Sequence, residues 1–111
     1  MSWDAELTTK CCGVRYGGDF GYTYNTTSMV AVASEEIGEE FDGFQRTLDG
    51  MDGSEGRKLL RRLADELHDN AAKYDEMNPE NGWGSREGIV AEMRRMADAV
   101  PGSPETVWRV T

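Results

Sequence analysis

Residues 3–9, Trp-Asp-Ala-Glu-Leu-Thr-Thr, put an apolar side chain at every second position, with Trp3, Ala5 and Leu7 on one face. This is the period of a half-buried strand. The next stretch, Cys11-Cys-Gly-Val-Arg-Tyr-Gly-Gly-Asp19, holds three glycines and reads as a turn or an irregular strand. Phe20, Tyr22 and Tyr24 then alternate with Gly21 and Thr23, which predicts a second strand with an aromatic face.

From Ser28 the period lengthens. Ser28 can cap a short helix through Met29, Val30, Val32 and Ala33, fading at Glu35–Gly38. Asp52-x-x-Glu55 has the spacing of a capping box and opens the clearest helix of the chain, with Leu59, Leu60, Leu63, Leu67, Ala71 and Tyr74 on one stripe. Asn78-Pro79 stops it. After a glycine-flanked loop, Ser85 caps a last helix with Ile89, Val90, Met93, Met96 and Val100 on its apolar side, closed by Pro101-Gly102. Thr106–Val110 alternates again as a final strand. The pattern predicts a single α+β domain over 1–111: a small antiparallel sheet of three or four strands, packed by two main helices plus one short helix.

Charge alters this picture in one place. The chain of 111 residues carries a formal charge of −9, and eight of its acids fall in residues 35–55 against one base, Arg46. Residues 35–51 therefore read as an acidic connector, anchored by Phe41, Phe44, Leu48 and Met51. The sign disfavours direct nucleic-acid binding, which rests on Lys and Arg at phosphates. No basic and apolar leader opens the sequence and no apolar run is long enough to span a bilayer, so a cytoplasmic setting without membrane attachment is expected. In that setting the adjacent Cys11 and Cys12 are expected as thiols.

Candidate chemistry is sparse. One histidine, His68, and one cysteine pair leave no zinc site of ordinary spacing. Asp49–Glu55 resembles part of a calcium loop but fails the twelve-residue pattern. Neither G-x-G-x-x-G opening a helix nor a phosphate-loop lysine is present. No catalytic constellation, metal or cofactor is assigned on these grounds.

Two segments combine aromatic surface with amides ahead of a helix start: Tyr22-Thr-Tyr-Asn-Thr-Thr-Ser28 and Asn78-Pro-Glu-Asn-Gly-Trp-Gly-Ser-Arg86. Stacking on Tyr22, Tyr24 and Trp83, hydrogen bonds from Asn25, Asn78 and Asn81, and ion pairing by Arg86 or Arg15 would suit a small nucleotide-like ligand. The same residues equally serve as caps and as a plug at the core edge.

The Tyr22–Asn25 block, the run Leu48-Asp-Gly-Met-Asp-Gly-Ser-Glu55 and the turn Asn78-Pro-Glu-Asn-Gly-Trp-Gly84 follow one another in an order that resembles a group of small uncharacterised phage and prophage proteins. The chain departs from that group at Asp52, where the group more often has Thr. The resemblance implies a phage-type protein in the cytoplasm of an infected bacterium and carries no established activity. On that footing the leading expectation is a counter-defence accessory protein that sequesters a nucleotide-like immune signal without turning it over. The alternatives are an acidic, anti-CRISPR-like inhibitor of a host defence protein, supported by the 35–55 charge run, and a small enzyme of unknown reaction. Homo-oligomerisation is left open by so small a domain.

Overall fold

In the computed structural model, which describes residues 2–111, the chain forms a three-stranded antiparallel sheet with helices against one face. The elements are β1 (Ser2–Thr9), β2 (Arg15–Thr23), a single 3-10 turn (Tyr24–Thr26), α1 (Thr27–Glu36), α2 (Phe44–Leu48), α3 (Gly53–Asp69), α4 (Ala71–Asp75), α5 (Arg86–Ala99) and β3 (Thr106–Val110). β1 is central, in the order β2-β1-β3. The α+β expectation holds, with three strands and α3 and α5 as the main helices.

Register explains which face is buried. Trp3 lies opposite Tyr22, Ala5 opposite Phe20 and Val110, and Leu7 opposite Trp108. Alternation sends these side chains to the helical side, while Asp4, Glu6 and Arg109 face solvent. Trp3 stacks on Phe44 at 4.2 Å, and Phe20 meets Trp108 edge-on at 5.9 Å. The leucine stripe of α3 and Ile89, Met93 and Met96 of α5 complete the core.

Both outer strands have part of their free edge occupied. On β2, the Gly21 N–H donates to Glu92 of α5 at 2.7 Å, and Arg95 donates to the Asp19 carbonyl at 3.0 Å. On β3, the Trp108 N–H donates to the Met51 carbonyl at 2.9 Å, Gly50 donates back to Trp108, and the Val110 N–H reaches Asp49. Unpaired strand edges template association, and these contacts remove much of that template.

Several local expectations shift. The second strand begins at Arg15 and ends at Thr23, so Tyr24 and Asn25 belong to the 3-10 turn. A register irregularity between Ala5 and Thr8 lets the glycine-rich segment pair with β1. α1 begins at Thr27 without a side-chain cap, so Ser28 lies inside the helix. The long helix breaks at Asn70, whose carboxamide donates to the Glu66 carbonyl and satisfies the end of α3. The connector contains α2, which pins Phe44 and Leu48 into the core.

Candidate functional site

The two aromatic and amide-rich segments meet. Tyr22 sits at the end of β2, and its hydroxyl oxygen accepts the Ser85 N–H at 3.1 Å. The phenol lies over the first turn of α5, where a side-chain carbon on Gly88 would collide with it, so that position requires glycine. Asn25 donates to the Trp83 carbonyl at 3.3 Å, and Asn81 accepts the Trp83 N–H at 2.9 Å. Asn78 accepts the Arg86 N–H at 2.8 Å. Gly84, at φ +95°, lets the loop pass against Thr23 and Thr26.

Six of the eight expected ligand residues are thus gathered at one corner: Tyr22, Asn25, Asn78, Asn81, Trp83 and Arg86. Their polar atoms are largely engaged with one another. The start of α5, expected to offer free N–H groups to an anion, has Ser85, Arg86 and Gly88 N–H groups bonded to Tyr22, Asn78 and the Ser85 hydroxyl respectively. Arg86 is buried, with Nε 2.7 Å from Asp75, so its charge is already matched. Trp83 is the exception: its backbone is held at both ends while its side chain is 64% exposed.

The remaining two residues go elsewhere. The Tyr24 hydroxyl accepts from Gln45 of α2. Arg15 opens β2 at the end opposite Tyr22, about 23 Å away along an extended strand, and pairs with Glu6 at 3.3 Å and Asp19 at 2.9 Å.

A second feature is concave. α1, the connector and α3 enclose a groove of about 1230 Å³, larger than the clefts of about 300 and 470 Å³ on the sheet side. Glu35, Glu39, Glu40 and Asp42 rim it, with Phe41 and Leu59 among its apolar lining. Three cations already have partners. Arg62 bridges Glu39 and the Ile37 carbonyl, Arg46 pairs with Asp42 at 3.2 Å, and Lys58 pairs with Glu55 at 3.4 Å. Glu35 and Glu40 have no ion pair among the described residues. The charge run announced the acidity; the contact of Arg62 on α3 with Glu39 and the Ile37 carbonyl, which ties the connector to α3, was not legible in it.

Titration is perturbed mainly at structural contacts. Hydrogen bonds from Lys10 and from Ser54 hold the Asp52 carboxyl well below the usual range, as expected for the residue that caps α3. Burial, then the hydrogen bond to Glu66, pushes the Tyr74 hydroxyl up. Among the described residues no group of three or more His, Cys, Asp or Glu is placed to hold a metal ion, and no helix is long and apolar enough to cross a membrane.

The geometry defines a small α+β domain with an interlocked corner and an acidic groove. Comparison with known proteins found no matching family model, no matching curated protein and no matching solved structure.

Proposed function

We propose that this chain is a non-catalytic binding protein whose acidic groove receives a basic segment of another protein, in the manner of an inhibitor that occupies a basic, nucleic-acid-binding surface. The groove itself carries this reading. At about 1230 Å³ it exceeds the usual volume of a small-molecule site, its rim holds Glu35 and Glu40 without ion pairs among the described residues, and Phe41 and Leu59 give it apolar surface. Charge complementarity of this kind steers encounter and selects partners. The resemblance to phage proteins would set it in the cytoplasm of an infected bacterium, where on this reading a host defence protein is the target.

The test is fluorescence anisotropy with a labelled amphipathic peptide of Lys, Arg and Leu. Binding should weaken at least ~10-fold from low to high salt, as screening of exposed charges requires. It should be lost in the combined variant Glu35→Gln, Glu39→Gln, Glu40→Gln and Asp42→Asn, and kept in Asp69→Asn with Glu80→Gln. No binding, or equal binding by the groove variant, would overturn the reading.

One observation favours a second reading. The exposed indole of Trp83, held next to Asn25, is a ready stacking surface for a small nucleotide-like ligand. Calorimetry against a panel of nucleotides tests it. Heat that persists unchanged in Trp83→Ala, or is missing in the wild type, removes it.

A further inference from the structure

The turn between β1 and β2 carries a feature that neither binding reading uses. Cys11 and Cys12 are both free and both exposed, and their Sγ atoms lie 2.6 Å apart. The two sulfurs lie side by side, so neither side chain has to swing round for one to reach the other. The backbone around them is held from both sides: the Thr9 N–H donates to Val14 at 2.7 Å, the Gly13 N–H donates to Thr9 at 2.8 Å, and Lys10 donates to Glu105 at 2.9 Å. Gly13, at φ +67°, closes the turn. The sulfur pair is therefore presented on a fixed turn, accessible to small molecules and separate from the core.

We propose that Cys11 and Cys12 form a thiol–disulfide exchange site that reacts with low-molecular-weight disulfides and closes reversibly to a disulfide between the two neighbours. The Cys11 thiolate attacks one sulfur of the small disulfide R–S–S–R, forming a mixed disulfide and expelling RS⁻, which takes up a proton. Cys12 then gives its proton to solvent and attacks the Cys11 sulfur, breaking the mixed disulfide and expelling the second RS⁻. The two cysteine sulfurs are oxidised, the small disulfide is reduced to two thiols, and no other reagent is needed.

That the two steps are sequential follows from the contact. The hydrogen bond with Cys11, and then its charge, push the Cys12 thiol up. Two thiols this close do not ionise together, so one keeps its proton while the other attacks, and this restraint disappears once the first is tied up in the mixed disulfide. Reversibility follows from the chain. Neighbouring Cα atoms lie about 3.8 Å apart, below the 4.4–6.8 Å usual for disulfides, so the closed ring is readily reopened by excess thiol.

The probe is oxidised glutathione, read by intact-mass spectrometry without reductant and by iodoacetamide labelling. The wild type should lose two hydrogens, change from two labelled thiols to none, and recover both with dithiothreitol. Cys12→Ser should stall with one glutathione on Cys11. Both cysteines are exposed, so the substitution leaves the core untouched. A wild type that keeps its glutathione adducts, links two chains through sulfur, or retains both thiols would overturn the proposal.

Discussion

Alanine at an interior helical glycine ordinarily stabilises, by about 1 kcal/mol from helix propensity. Gly56 in the first turns of α3 should do the opposite. A carbon added there would run into Nε1 and Cδ1 of Trp108 and come within 3.1 Å of Leu48 Cδ1. The indole cannot step aside, because Trp108 is fully buried, its ring meets Phe20 edge-on, and its strand is bonded both to β1 and to the 50–51 segment. Overpacking of a closed core costs about 1–3 kcal/mol. This site lies at the upper end, since the contact falls on a rigid ring and not on the tip of a flexible chain.

Setting about 3 kcal/mol of strain against about 1 kcal/mol of propensity leaves a net loss of about 2 kcal/mol for Gly56→Ala. For a domain of this size that corresponds to a fall in Tm of roughly 8 °C. Urea unfolding followed by near-ultraviolet circular dichroism measures it. The double variant Gly56→Ala with Trp108→Phe should lose less than the sum of the two single losses, because the smaller ring vacates the contested space. A Gly56→Ala protein as stable as the wild type would show that α3 does not seat on Trp108, and the groove wall that α3 builds would have to be redrawn.

Other contacts give equally direct expectations. Asp52 has its carboxyl held down by Lys10 and Ser54. Its folded-state value lies below the unfolded one, so its contribution is present above about pH 3.9 and is lost as pH falls further; Asp52→Asn should flatten that acid limb in unfolding midpoints taken from pH 6 downwards. Glu92→Ala removes the acceptor of the Gly21 N–H and a partner of Arg95. It should lower stability by about 1–3 kcal/mol and give concentration-dependent light scattering as the β2 edge opens; unchanged scattering would show that the edge is protected by something else. Trp3 and Trp108 are fully buried, whereas Trp83 is exposed. N-Bromosuccinimide should therefore oxidise one tryptophan in the native protein and none in Trp83→Phe.

β1, β3, α3 and α5 were legible because each is decided by a local period together with a turn or cap residue. The less legible elements depend on distant partners. α2 spans Phe44–Leu48 and has too few residues to show a period; it exists because Phe44 stacks on Trp3, more than forty positions away in the chain. Asn70 breaks a stripe that continues through Ala71 and Tyr74, since an asparagine that bonds back to the preceding turn competes with the helix ladder. At the candidate site, the two segments that composition singled out do meet in space. It could not say that Tyr22 and Asn78 would bond backbone N–H groups at the start of α5, because the choice between a ligand and the chain's own backbone is made by tertiary contact.

The partly covered sheet edges bear on how a partner could approach. Strand addition needs a row of free N–H and C=O groups. β3 spends its outer groups on residues 49–51, and β2 spends those of Asp19 and Gly21 on α5. On the proposed binding reading, side chains would then carry most of the recognition, and those on offer differ in kind. The acidic groove would act through charge in an exposed setting, whereas Trp83 would act through an apolar ring that ionic strength scarcely affects. A complex that dissolves with added salt but survives Trp83→Ala belongs to the groove. One that ignores salt and fails in Trp83→Ala belongs to the corner, and the local tie from Asn25 to the Trp83 carbonyl then becomes a positioning contact whose loss in Asn25→Ala should weaken binding without unfolding the domain.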